Sequence, residues 1–195
     1  MMKNKEIHGV PTISQLEEEL SREKHRKRYN SVLRSTLFTL VVVAAVSVLV
    51  ATLWLPVLQI YGKSMEPCLN EGEIVISVKD KEFETGDIIA LYYNNKILVK
   101  RVIGQPGQWI SIDENGTVSL DNEVLYEPYI KDKSLGQCDI EFPYQVPDGR
   151  YFVLGDFRST SVDSRSSMMG CVAEEQIVGK IVFRVWPLSE FGKTA

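Results

Sequence analysis

The sequence has 195 residues, of which 44% are hydrophobic and 25% charged, and its formal net charge is −4. This composition is ordinary for a globular protein and excludes a disordered chain, and the length allows one sizeable hydrophobic core. The charge is uneven, because residues 1–34 carry +3 and the remainder carries −7. An acidic remainder argues against nucleic acid as a ligand of the folded part.

A long apolar run is the first predicted element. From Ser35 to Gly62 the chain contains no charged residue, and such a run can cross the roughly 30 Å hydrocarbon layer as a helix. We predict a transmembrane helix over residues 35–60, centred on Leu37 to Leu58. A cleaved signal peptide has a shorter apolar region closer to the N-terminus, and a buried core helix is rarely apolar on every face.

The tail before this run, residues 1–34, is basic where it meets the apolar segment. Its basic residues there are Arg22, Lys24, Arg26, Lys27, Arg28 and Arg34. Because excess positive charge beside a span stays in the cytoplasm, we expect a single-pass protein of the plasma membrane with a cytoplasmic N-terminus. Residues 61–195 are then extracytoplasmic.

After the span the pattern changes to short β-prone runs separated by Gly, Asn, Asp and Pro. We predict strands at Ile74–Val78, Ile88–Tyr93, Ile97–Ile103, Trp109–Ile112, Val118–Leu120, Tyr151–Leu154 and Ile177–Trp186. Asn94-Asn95 and Asn115-Gly116 are typical of hairpin turns. The predicted fold class is mostly β, an antiparallel domain of residues 61–195 behind one N-terminal transmembrane helix.

The histidine inventory limits the chemistry that this domain can perform. The only histidines, His8 and His25, precede the span, so a Ser-His or Cys-His arrangement in the outer domain is excluded. A lysine can replace histidine as a base when burial disfavours its charged form. Lys100 and Lys180 both lie between apolar neighbours in predicted strands, and the pattern alone does not choose between them.

The three cysteines, Cys68, Cys138 and Cys171, lack the spacing of a zinc site. We expect them to be small buried residues, and a Cys138–Cys171 disulfide is the alternative in an outward-facing domain. No metal or organic cofactor is implied.

Three segments follow the span in a fixed order: SMEPCL, KRVIGQPG and GDFRSTSVDSR. Together they resemble the motifs of bacterial type I signal peptidases of the S26 family, which are membrane-bound Ser-Lys proteases that remove signal peptides. The resemblance implies that Ser64 is the nucleophile and that Lys100, rather than Lys180, is the general base. It also implies that Ser161 orients the lysine.

Two further groups of residues follow from the same resemblance. Charged residues that hold the site by ion pairs are Arg101, Asp156, Asp163 and Arg165. The walls of a shallow apolar pocket for the small residue before the cut are Ile60, Met65 and Leu98. Gly62 departs from some relatives, which have a hydroxyl there that donates to the oxyanion. We therefore expect the oxyanion hole to use the backbone N–H of Ser64 together with a water or another donor.

The expected function is therefore that of a membrane-bound serine endopeptidase that cleaves N-terminal signal peptides from exported pre-proteins after small residues. Its expected partners are these pre-proteins and membrane lipid, with a functional link to the secretion translocon. The alternative from another class is a membrane-tethered β module that binds peptides without cleaving them.

Overall fold

The computed structural model of the protein describes residues 13–194. The first twelve residues of the predicted tail, including His8, lie outside the described residues, as does Ala195. The described residues divide into two units between Val50 and Ala51.

A single long helix, α1, spans Ile13–Trp54 and contains both the basic segment and most of the apolar run. Its part from Leu16 to Val50 is long and apolar enough to cross a membrane by length and composition. The apolar side chains there are exposed around the helix, as expected for a segment whose apolar faces are covered by lipid rather than by protein.

The predicted end of this helix is wrong. We expected helix to residue 60, but α1 ends at Trp54 and strand β1 occupies Val57–Gln59. Pro56 provides the physical reason, because it has no N–H to donate and disfavours helical geometry at the preceding Leu55. The last apolar residues of the run therefore belong to the β domain.

The second unit is built from two antiparallel sheets, which confirms the predicted fold class. The remaining strands are β2 (Ile74–Val78), β3 (Ile88–Tyr93), β4 (Lys96–Gly104), β5 (Trp109–Ile112), β6 (Val118–Leu120), β7 (Glu123–Val124), β8 (Tyr144–Gln145), β9 (Arg150–Leu154), β10 (Val172–Ala173), β11 (Ile177–Trp186) and β12 (Gly192–Lys193). The larger sheet has the order β1-β2-β11-β3-β4-β9-β10, with β12 also paired to β11, and the smaller has the order β7-β6-β5-β8.

Both predicted hairpin turns are present. Asn94 and Asn95 have φ values of 44° and 62° and join β3 to β4, whose pairing begins at Tyr93 and Lys96. Positive φ at both central residues is the geometry that a two-residue hairpin requires, and Asn tolerates it. Gly116, with φ of 80°, lies in the turn between the paired strands β5 and β6.

The core fixes the strands that carry the candidate site. Ile110 of β5 and Val118 of β6 pack with Ile103 of β4 and Phe152 of β9, so the small sheet covers the large sheet where β4 meets β9. A separate cluster buries Met65, which anchors the loop between β1 and β2. The three cysteines are free thiols, so the alternative of a Cys138–Cys171 disulfide is wrong.

Candidate active site

Ser64 lies in the loop between β1 and β2. The loop is closed at its base, where the Ile60 N–H donates to the Glu73 carbonyl at 2.8 Å. Gly62 has φ of +80°, a left-handed conformation that L side chains rarely adopt and glycine adopts freely. This conformation favours glycine at position 62.

Next to Ser64, the Met65 side chain is almost fully buried. Met65 also begins a local turn, in which its carbonyl accepts the Leu69 N–H at 2.9 Å. Ser64 itself is only half-buried. Because the Met65 side chain is packed in the core, it fixes the backbone next to Ser64 and so the position of the Ser64 hydroxyl.

Lys100 lies in β4 and is only 2% exposed. Its Nζ donates a hydrogen bond of 2.9 Å to Ser161 Oγ. Burial lowers the pKa of Lys100 from 10.5 to about 8, with the positive charge of Arg165 acting in the same direction and the carboxylate of Asp163 opposing it. A substantial fraction of this amine is therefore neutral near pH 8, as a general base requires.

The environments of Lys100 and Lys180 differ, although their sequence patterns are alike. Lys180 Nζ forms an ion pair with Asp87 Oδ1 at 2.7 Å, and its side chain is 32% exposed. Lys180 is therefore partly open to solvent and has a carboxylate, not a hydroxyl group, as its partner. Of these two lysines, Lys100 is the one that is buried beside a hydroxyl group.

Gly155 brings the nucleophile loop and the Ser161 segment together. A Cβ atom at Gly155 would lie 2.2 Å from Ser161 Oγ and 2.6 Å from the Ser64 carbonyl oxygen, so only glycine fits there. The same Ser64 carbonyl accepts the N–H of Phe157 at 3.0 Å. These contacts join the backbone of Ser64 to Ser161, and Ser161 is in turn bonded to Lys100.

The four predicted charged residues form two buried ion pairs. Arg101 Nε and Nη2 donate to the two carboxylate oxygens of Asp156 at 2.9 and 2.7 Å. Arg165 makes the same two-bond contact with Asp163, both bonds being 2.8 Å. Asp163 also accepts the N–H of Gly155 at 3.1 Å. The Arg165–Asp163 pair therefore holds Gly155, which packs against both Ser64 and Ser161.

A third buried pair was missed by the sequence analysis. Both terminal nitrogens of Arg158 donate to the carboxylate of Glu127, while its Nε donates to the Gly155 carbonyl at 3.2 Å. Tyr129 links this pair to the Arg101–Asp156 pair. Its hydroxyl donates to Glu127 at 3.1 Å, and its ring centroid lies 3.8 Å from the Arg101 guanidinium carbon. No sequence pattern indicates these contacts, since residues 125–143 show no periodic alternation of apolar residues.

A cavity of about 760 Å³ opens beside Ser64 and contains the predicted pocket residues Ile60, Met65 and Leu98. Its walls come from β1 and the loop after it on one side and from residues 96–99 of β4 on the other. In β4, residues 96–101 pair with β3, whereas pairing with β9 begins only at Arg101. The outer edge of the first half of β4 therefore faces this cavity.

Comparison with known proteins decides the family. The sequence profile of the family "Signal peptidase, peptidase S26" matches residues 32–186. The chain is 38% identical to Signal peptidase IB of Staphylococcus aureus strain Mu50 over 152 residues, which are 68% of this chain and 78% of that protein. It is 30% identical to Signal peptidase I of Bacillus amyloliquefaciens over 183 residues, covering 88% of this chain and 98% of that protein.

The chain belongs to the S26 signal peptidase family. A crystal structure of a signal peptidase I from Enterococcus faecalis V583 is 30% identical, with a TM-score of 0.42, and the match covers 51% of this chain and 97% of that chain. Membership of the signal peptidase family makes the protein a peptidase, a hydrolase whose substrates are pre-proteins that carry signal peptides. This confirms the resemblance and the enzymatic function expected from the three motifs.

Proposed function

We propose that this signal peptidase cleaves its substrates with a Ser-Lys dyad, in which Ser64 is the nucleophile and Lys100 the general base. The observation that carries the proposal is the buried Lys100 amine bonded to Ser161 Oγ, in contact through Gly155 with the backbone of Ser64. The family assignment and the absence of histidine after residue 25 agree with a lysine base.

The substrate binds as an extended strand in the cavity beside Ser64. The free edge of β4 at residues 96–99 offers backbone groups for β-type hydrogen bonds, which supply affinity without reading side chains. Ile60, Met65 and Leu98 form apolar walls that accept a small residue such as Ala before the cut. Selectivity for small residues then arises from steric exclusion.

The chemical steps follow from the protonation state of Lys100. Neutral Lys100 takes the proton of Ser64 Oγ as this oxygen attacks the scissile carbonyl carbon, and the Ser64 N–H donates to the oxyanion. The carbon–nitrogen bond then breaks, and Lys100 passes the proton to the departing amine. A water molecule, deprotonated by Lys100, hydrolyses the acyl-enzyme and releases Ser64.

Ser161 and the ion pairs act by positioning. Ser161 accepts a hydrogen bond from the amine and so fixes the direction of its remaining lone pair or proton. The pairs Arg101–Asp156 and Asp163–Arg165 hold the segment that carries Ser161. Because they are buried and fully hydrogen-bonded, their charges stabilise this arrangement without entering the reaction.

The topology of the protein also belongs to this proposal. The basic residues before the apolar part of α1 support a cytoplasmic N-terminus and an extracytoplasmic catalytic domain. Ser64 follows the last helical residue, Trp54, by ten positions, which keeps the nucleophile close in sequence to the membrane anchor. Lipid and the secretion translocon, from which pre-proteins emerge, are the expected surroundings of this site.

A processing assay with point variants tests the dyad. Full-length enzyme in detergent or in vesicles is incubated with a purified pre-protein, and the mature product is followed by mass. Ser64→Ala and Lys100→Ala should each reduce processing by roughly a thousandfold or more. Lys180→Ala is the matched control, because Lys180 is partly exposed and paired with Asp87, and it should process normally.

The alternative of a non-catalytic peptide-binding module makes the opposite prediction. Full processing by folded Ser64→Ala enzyme would contradict the dyad, and an absence of processing by the wild-type enzyme would favour binding without cleavage. Circular dichroism of each variant confirms that the β domain is folded, so a loss of activity is assigned to chemistry.

A further inference from the structure

A second cavity of about 760 Å³ lies beside the candidate active site and has no role in the mechanism above. Its lining includes Tyr93 and Asn94 from the end of β3 and the following turn, Cys138, Ser161 and Met168. Its volume lies within the range of cavities that bind ligands. Its lining mixes polar side chains, such as Asn94 and Asp139, with apolar ones, such as Val162 and Met168.

The walls of this cavity are held by the same residues that hold the catalytic segment. Arg165 Nη1 donates to the Leu135 carbonyl at 2.6 Å, and the Asp139 N–H donates to the Arg165 carbonyl at 3.1 Å. Gly136, which lies between Leu135 and Asp139 in the chain, packs so closely that a Cβ atom there would lie 2.4 Å from the Arg158 carbonyl oxygen. The wall formed by residues 136–139 is therefore fixed relative to Ser161 before any substrate binds.

The reaction itself requires a place for the departing chain. The amine that leaves must receive its proton from Lys100, so it must be close to Lys100 Nζ when the carbon–nitrogen bond breaks. Lys100 Nζ is bonded to Ser161 Oγ at 2.9 Å, and Ser161 lines the second cavity. Ser64 lines the first cavity, which holds the residues before the cut.

The hairpin of β3 and β4 contributes to both cavities. Its turn side, Tyr93 and Asn94, lines the second cavity, and residues 96–99 line the first. The second cavity is thus bordered by the hairpin that carries Lys100 and by Ser161, to which Lys100 Nζ is bonded.

We infer that the second cavity binds the first few residues after the scissile bond, which become the N-terminus of the mature protein. The inference rests on the proposed dyad mechanism and adds a binding site for the other half of the substrate. A lining that mixes polar and apolar side chains suits a peptide segment, because the polar groups can bind its main chain and the apolar groups can contact its side chains.

Two peptide substrates distinguish an effect on this cavity from an effect on the catalytic dyad. The shorter ends one residue after the cut, and the longer has the same sequence before the cut and several further residues after it. Met168→Trp places bulk at the cavity, where the Met168 side chain is exposed. The control is Val124→Trp, since Val124 is likewise exposed and does not line this cavity.

In full-length enzyme, Met168→Trp should lower kcat/KM for the longer peptide by about tenfold and leave the shorter peptide unaffected, because only the longer substrate enters the cavity. Val124→Trp should leave both unchanged. Activity on the shorter peptide shows that the variant is folded and that its dyad is intact. Equal kcat/KM values of the wild type and Met168→Trp on the longer peptide, or an equal loss on both peptides, would overturn the inference.

Cys138 provides a second measurement in the same cavity. In a Cys68→Ser background, where Cys171 is buried, alkylation by a maleimide reports on Cys138. A peptide with the mature N-terminal sequence should slow this alkylation, whereas a peptide with the signal sequence alone should not. The inference is wrong if the signal-sequence peptide protects Cys138 equally well or if neither peptide protects it. The dyad proposal fails separately, if Ser64→Ala enzyme cleaves the shorter peptide.

Discussion

Replacement of Lys100 by Met should abolish activity and make the protein more stable at neutral pH. Burial lowers the pKa of this lysine from 10.5 to about 8, so the folded state binds the proton less tightly than the unfolded state does. At 1.36 kcal/mol per pKa unit, a difference of this size destabilises the folded protein by about 3 kcal/mol at pH 7. Methionine fills a similar volume without a charge.

The net gain is smaller, because Met cannot donate to Ser161 Oγ. Loss of that hydrogen bond removes about 1 kcal/mol, which leaves an increase of about 2 kcal/mol in the free energy of unfolding at pH 7. The stability difference between Lys100→Met and the wild type depends on pH. Wild-type stability rises between pH 8 and 10.5, where only the unfolded state holds the extra proton, so the advantage of the Met variant should disappear over this window.

Unfolding of the β domain in full-length protein, followed by near-UV circular dichroism in detergent, measures this difference at pH 7 and near pH 10. Lys180→Met is the control, and its free energy of unfolding should remain within about 1 kcal/mol of the wild-type value, because that lysine is partly exposed. A Lys100→Met variant that is less stable than the wild type at pH 7 would refute the reasoning that the amine is desolvated.

Three other substitutions test the surroundings of the dyad. Glu127→Gln leaves the buried guanidinium of Arg158 without its counter-charge and should lower the free energy of unfolding by about 3 kcal/mol in urea titrations. Gly155→Ala introduces a methyl group 2.2 Å from Ser161 Oγ and should reduce kcat by roughly a hundredfold in the processing assay. Ser161→Ala removes the acceptor of the Lys100 amine and should lower kcat by about tenfold or more, with KM nearly unchanged.

Matched controls make these results specific. Glu123→Gln changes an exposed carboxylate four residues from Glu127 and should leave unfolding unchanged. At Gly192 a Cβ atom meets nothing within 4 Å, so Gly192→Ala should process normally. If Gly155→Ala were as active as Gly192→Ala, the packing of Ser161 against the Ser64 loop would have no catalytic importance. A normal KM and kcat in Ser161→Ala would show that Lys100 needs no orienting hydroxyl.

The long strands and the hairpin turns could be predicted because their signals are local. β-branched runs bounded by Gly and Asn predict β2, β3, β4 and β11 within a residue or two. Strand β1 could not be found in this way, because its residues continue the apolar run of α1. The two-residue strands β7, β8, β10 and β12 are too short to show a period.

For the candidate site, too, local sequence patterns could be read, whereas contacts between distant segments could not. The pattern of apolar neighbours leaves Lys100 in β4 and Lys180 in β11 equivalent. The structure buries β4 from Lys100 onwards on both faces, because the small sheet and the turn at Gly155 cover it. Which lysine is covered depends on segments distant in sequence, so the pattern of one strand could not decide it.

The dependence of kcat/KM on pH tests the central claim, that an uncharged Lys100 activates Ser64, most directly. With a pKa of about 8 for this amine, kcat/KM of the full-length enzyme should fall about tenfold per pH unit below pH 8 and level off above it. At pH 6 about one-hundredth of the plateau value should remain. A profile that is flat between pH 6 and pH 9, or one that continues to rise towards pH 10.5, would contradict the account.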